Sequence, residues 1–283
     1  MNLPIRTMFD DVSSFIQSQS VTWPVMPEAG QALIRTFNND DVDTYTVCRI
    51  IKKDPTLTAT LLRMANSAMF GLSGSIDTLE RAVSVVGLSM VRARALSACM
   101  VRVCVLPTGM DRMEFWRYCM LCAGYAQWIA ELCDVDDQEA WLCGMMIRLG
   151  EISLGQARPA CLPHIEAKPI EPMERWLRER SLIGFDEGEV TAALAQQWDF
   201  PESLVSGLRY CSQPLTGNTF SKLAAVLHLA ARLADGGPVT TDALQNLPLL
   251  VLQWLHLDLQ TMGTQIPDHH ALSDVSMFQN SVR

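Results

Sequence analysis

The sequence predicts an all-α protein. Apolar residues recur at three- and four-residue intervals through most of the chain, and helix start and stop signals bracket those segments. No stretch of four to eight residues alternates between turn signals as a strand would. The 283 residues are 49% hydrophobic and 19% charged, enough to bury a substantial core.

Residues 1–23 read as an N-terminal helical extension, with one amphipathic segment from Phe9 to Ile16 and then a polar break. The prolines from Pro24 to Pro27 favour an extended approach to a first helix, Glu28 to Phe37. Asp43 is placed to cap the next helix, and its Arg49, Lys52 and Lys53 suit a helix C-terminus. Asp54-Pro55 is a strong start signal: the carboxylate accepts from free N–H groups, and proline lacks only an N–H that would have had no partner. Leu57, Leu61, Leu62, Ala65 and Met69 then share one face. Gly71 and Gly74 punctuate a joint, Asp77 to Glu80 has the capping-box pattern, and Gly87 suits a left-handed stop. Leu88 to Val105 reads as one helix, and Pro107-Thr108-Gly109 as the junction between two lobes.

The second lobe opens with an aromatic-rich helix, Glu114 to Leu132, followed by one from Glu139 to about Leu154. A connector with four prolines, 159–172, is expected to lie on the surface. Helices follow at about 171–181, 186–198, 201–211 and 218–234. Residues 236–283 carry one amphipathic segment near 247–262 and a polar tail expected to be loosely held.

The net charge of −9 argues against broad phosphate-backbone binding, so nucleic acid is not expected as a partner. No apolar run reaches the roughly 18 residues of a membrane span, and no signal peptide is visible, so no membrane insertion is expected. Nine cysteines, mostly inside apolar helical stretches, read as reduced thiols of a cytoplasmic protein. Cys119 and Cys122 form a lone CxxC on a helix face and read as small buried hydrophobes. The five histidines, His164, His228, His256, His269 and His270, show no metal-binding spacing. The acidic turns at 40–43 and 134–137 lack the glycine and distal glutamate of a calcium loop. No cofactor is expected.

The stretch DPTLTATLLRMANSAMFGL followed by IDTLERAVSVVGL, residues 54–72 and 76–88, resembles the signature of the HDOD domain. That is a bacterial output module related to HD-type metal phosphohydrolases. The resemblance implies a two-lobed helical fold over residues 24–235, with lobe one at about 24–106 and an HD-like lobe two at about 110–235. It also implies a regulatory role in bacterial signal transduction. No receiver or cyclase segment is recognisable, so an unidentified signalling protein is the expected partner.

The resemblance also says where the metal ligands of a hydrolase would stand. The histidine–aspartate pair falls on Ile147-Arg148, and the first ligand on Tyr118. The remaining positions fall on Glu187, on Tyr210-Cys211 and at about Ala231. Hydrocarbon, phenol and guanidinium replace imidazole and carboxylate, so the expectation is a relic pocket with no catalytic residues and no metal. Arg148 either pairs with Glu187 or Glu151, or grips an anionic nucleotide. In the family motif, Asp54, Pro55, Asn66 and Ser67 are candidate partner contacts. For Asn66 the alternative is a hydrogen bond to local backbone. A working phosphohydrolase with a displaced site, and a nucleotide sensor that binds without cleaving, are the alternative functions.

Overall fold

The computed structural model describes residues 12–19, 21–39, 42–66, 75–168, 171–216 and 220–275. Ser67, Met69, Gly71 and Gly74 lie outside them, as do Asp40, Asp41 and residues 1–11. Among the described residues there is no strand.

The first half of the chain contributes α1 (Val12–Ser18), α2 (Glu28–Arg35), α3 (Thr44–Lys52), α4 (Pro55–Ala65), α5 (Leu79–Val86) and α6 (Leu88–Val103). Side chains close the helix ends much as their order suggests. Asp43 Oδ1 accepts from Thr46 N at 2.8 Å, and Asp54 Oδ1 from Leu57 N at 3.0 Å. The cap of α5 is Thr78, whose hydroxyl accepts from Arg81 N at 3.2 Å; it is not Asp77. With Thr78 as the cap, the third helical residue is Arg81, so no capping box forms, and the Glu80 carboxylate pairs with Lys52 Nζ at 2.5 Å. Gly87 has φ +88°, a value that costs a Cβ-bearing residue, and turns the chain 120° between α5 and α6.

The second half begins with α7 (Arg112–Glu131), α8 (Asp137–Met146), α9 (Leu149–Ala157) and α10 (Leu162–Ile165). It continues through α11 (Glu174–Leu182), α12 (Glu187–Gln197), α13 (Glu202–Tyr210) and α14 (Lys222–Asp235). Helix α7 is the axis: it packs on α8 and α14, while α6 packs on α8 from the first half. One hydrophobic core therefore runs through both halves. A smaller apolar cluster joins Phe15 and Ile16 of α1 to Phe185 and Val190.

The helix expected from Glu139 to Leu154 is broken at Ile147 and Arg148. The break is stabilised from α12: Thr191 Oγ1 accepts from Gly150 N at 2.7 Å and donates to Ile147 O at 3.2 Å. A Cβ at Gly150 would overlap the carbonyl of Glu187, so the close approach of α9 to α12 needs glycine there. The connector is not wholly on the surface, because Leu162 and Ile165 of α10 are buried.

The described residues close with four short helices, α15 (Thr241–Gln245), α16 (Leu249–Trp254), α17 (Leu259–Thr264) and α18 (His269–Leu272). The single segment expected near 247–262 is split where His256 adopts φ +55°. The tail to Val275 is packed: Tyr125 Oη meets His269 Nδ1 at 2.9 Å, and Leu272 lies against α7 at Gly124. Its composition is polar, but an aromatic hydroxyl and a leucine anchor it. Among the described residues no single helix is long and apolar enough to cross a membrane.

Candidate functional site

The break between α8 and α9 turns Arg148 inward, with only 6% of its side chain exposed. Its Nε donates to Glu151 Oε2 at 2.5 Å, and its Nη2 to Glu166 Oε1 at 2.5 Å. Glu187 Oε2 is 3.9 Å from the same Nε. A second buried guanidinium, Arg175, comes from α11. It reaches Glu187 Oε1 at 3.4 Å and Asp235 Oδ1 at 3.5 Å. The ring of Tyr118 faces both, 5.2 Å from Arg148 Cζ and 4.4 Å from Arg175 Cζ. Trp176 Nε1 donates to Glu187 Oε1 at 2.6 Å, and Glu187 N to Glu179 Oε2 at 2.8 Å. Two tethered cations are thus bridged by one carboxylate inside the second lobe.

Three carboxylate oxygens remain without a hydrogen-bond donor among the described residues: Glu151 Oε1, Glu179 Oε1 and Glu187 Oε2. The three side chains converge, with a ligand-type atom of each within 4.8 Å of the others, and all three are wholly buried. Like charges this close in a low-dielectric interior favour the protonated form. Burial, only partly offset by Arg148, pushes Glu151 up to about 8. Burial and the neighbouring carboxylates push Glu179 well up, and burial also raises Glu187. Glu166 goes the other way: burial opposes its charge, but Arg148 holds it down to about 2. Glu151 and Glu179 therefore hold a proton more tightly than ordinary carboxyls do, while Glu166 stays charged.

The other residues that the resemblance assigns to ligand positions carry neither imidazole nor carboxylate. Ile147 and Ala231 are buried hydrocarbons. Cys211 is a buried thiol that burial keeps protonated, and Tyr210 is only half-buried at the end of α13. So the fold unites Tyr118, Arg148 and Glu187 around the ion pairs. Among the described residues neither Cys211 nor Tyr210 hydrogen-bonds to these pairs.

Cys119 and Cys122 are free, buried thiols. His228 Nδ1 meets Cys211 O at 2.9 Å, and burial pushes its pKa down to about 4, leaving a neutral packed ring. The residues do not fit a hydrolase metal site: a guanidinium lies at the position to which the resemblance assigns a ligating aspartate, 2.5 Å from one glutamate of the convergent trio and 3.9 Å from another. A divalent ion drawn to those glutamates would sit against a fixed positive charge.

The family-motif residues serve the first half. Asp54, besides its cap, pairs through Oδ2 with Arg102 at 2.6 Å, and Pro55 starts α4. Asn66 Nδ2 donates to Ile76 O and Leu62 O, each at 2.7 Å, and its Oδ1 accepts from Ile76 N at 2.8 Å. It clasps the chain on both sides of the joint. The sequence alone does not single out Arg175, Glu179 or Glu166. The segment ERWLRERSL reads as a solvated helix. The available hint is the four-residue spacing of Arg175 and Glu179 beside Trp176, which places a charged pair on an aromatic-marked face.

Comparison with known proteins places these features. The HDOD domain family model matches residues 23–214. The crystal structure of a Shewanella amazonensis protein named "Putative phosphohydrolase" superposes with a TM-score of 0.77 at 26% identity. The match covers 94% of this chain and 97% of that one. An HDOD domain protein with unknown function from Geobacter sulfurreducens superposes at 0.70 with 20% identity, over 93% of this chain and 99% of its own. An uncharacterized protein of Treponema pallidum (strain Nichols) is 25% identical over 214 residues, 74% of this chain. The chain spans about two fifths (41%) of the length of that curated relative.

Proposed function

The chain belongs to the HDOD family, and from that premise we propose that it is a non-catalytic regulatory module of bacterial signal transduction. It acts in the cytoplasm by docking a separate signalling protein. The observation that carries the reading is Arg148, whose guanidinium is ion-paired to Glu151 and Glu166 at the position that the resemblance assigns to a metal ligand. Metal-assisted hydrolysis needs an ion that lowers the pKa of a bound water. A tethered guanidinium supplies positive charge but has no open coordination position, so it cannot generate that nucleophile. What the chain then offers a partner is the outer surface of its helical scaffold.

A second reading, a phosphohydrolase, is favoured by the name of the Shewanella relative. Turnover separates the two. Purified full chain is incubated with cyclic dinucleotides and nucleoside phosphates, with and without manganese or magnesium. The regulatory reading predicts no product above the protein-free control. Metal-dependent turnover that tracks the protein through purification contradicts it.

A further inference from the structure

Beside the ion pairs, a pocket of about 340 Å³ opens between α7, α11, the end of α14 and the connector. Four cationic side chains line it: Arg117, Arg148, Lys168 and Arg175. Two further donors belong to lining residues that are almost wholly buried. Arg175 Nε has no hydrogen-bond acceptor among the described residues. Tyr118 Oη, beside the Cys122 thiol, has no oxygen or nitrogen partner there. Buried donors without acceptors are costly, and their presence in a cavity lined by one more cation than carboxylates asks for an oxyanion.

Three carboxylates line the same cavity, and two of them pair with its own cations. Glu114 pairs with Lys168 at the surface, and Asp235 with Arg175. The third, Glu166, differs. It comes from the connector just after α10, keeps 25% of its side chain exposed, and supplies one oxygen to Arg148 Nη2. The connector around it is fastened by Arg178 Nη1, which donates to Ile165 O at 3.0 Å and to Ala167 O. Glu166 is thus an anionic group of the chain itself, held on an arginine at the cavity wall.

We propose that this pocket binds a phosphoryl group, which takes the place of the Glu166 carboxylate on Arg148. A phosphoryl group offers more acceptor oxygens than one carboxylate, so it can serve the forked Arg148 and also accept from Arg175 Nε, with Tyr118 Oη, now beside the Cys122 thiol, as a further donor. Displacing Glu166 would shift the connector that carries it, which links occupancy to the outer surface of the second lobe. The inference rests on the metal-free reading above, because an ion on the buried glutamates would alter every charge in the pocket.

The test is calorimetric titration of the full chain with inorganic phosphate, a cyclic dinucleotide and a nucleoside triphosphate, against matched chloride. Glu166→Ala vacates the position and Glu166→Gln removes only its charge. Both should bind phosphate more tightly than the native chain, by about tenfold for the alanine variant. Lys168→Ala, at an exposed site, should weaken binding several-fold. Tighter binding of a nucleotide than of phosphate identifies the nucleotide as the source; equal affinity identifies free phosphate. The proposal is overturned if Glu166→Ala binds no phosphoryl ligand at millimolar concentration, or if neither substitution changes the affinity. Absence of binding leaves the non-catalytic reading intact, whereas product formed during titration would contradict that reading and leave the site in place.

Discussion

Replacing Arg148 with methionine removes the charge at the centre of the pocket while keeping much of the side-chain bulk. The native guanidinium is 6% exposed and pairs with Glu151, which is wholly buried, and with Glu166, which is partly exposed. Removing one partner of a buried pair strands the other, at a cost of about 3–5 kcal/mol. The Glu166 contact adds less, because solvent screens it.

The dependence on pH follows from the two carboxyls. Glu166 is held down to about 2, so its contribution is present above the ordinary carboxylate range and is lost as pH falls toward 2. Glu151 is pushed up to about 8, so the folded state keeps a proton that the unfolded chain releases near 4.5. Native stability from this group therefore falls as pH rises toward 8, and Arg148 limits the fall. Without Arg148 the penalty grows further at alkaline pH. Urea denaturation suits the measurement, since guanidinium would screen the ion pairs and mimic the missing group. The loss for Arg148→Met should be about 3–5 kcal/mol at pH 8 and clearly smaller at pH 4. A loss below about 1 kcal/mol at pH 8, or an equal loss at both, would refute the reasoning.

Glu179→Gln should stabilise the protein above neutral pH by about 1–2 kcal/mol and flatten its pH dependence, because a neutral amide removes a carboxyl whose folded-state pKa is raised; a loss of stability at pH 8 would show that the trio does not share protons. Thr191→Val leaves Gly150 N–H and Ile147 C=O unpaired at the α8–α9 break and should cost about 2–4 kcal/mol by urea titration. Asn66→Ala removes the clasp on Ile76 and should cost about 2–3 kcal/mol, with faster hydrogen exchange at Ile76 N–H as the local signature.

Much of this architecture is legible in the chain because short-range chemistry writes it. Asp43, Asp54 and Gly87 act at helix ends through their own side chains or backbone, so each can be recognised from its neighbours. Arg148 stands out because its type is wrong for the place it holds. The break beside it is less visible, since it depends on the Thr191 hydroxyl more than forty residues away. Helix α11 is misleading for a related reason: charge usually marks solvent, yet Arg175 and Glu179 are buried because they satisfy groups on α12 and α14. Glu166 hides in a proline-rich connector, where nothing in its immediate sequence announces an ion pair. The packed tail escapes notice because a single tyrosine and a glycine notch on α7 hold it.

The claim on which the account turns is that fixed arginines supply the positive charge in this pocket. Crystals of the full chain soaked in manganese, with diffraction recorded at the manganese edge, test it directly. The account predicts no anomalous peak among Glu151, Glu179 and Glu187, with Arg148 still on Glu151. A peak there, with the guanidinium displaced, would contradict it.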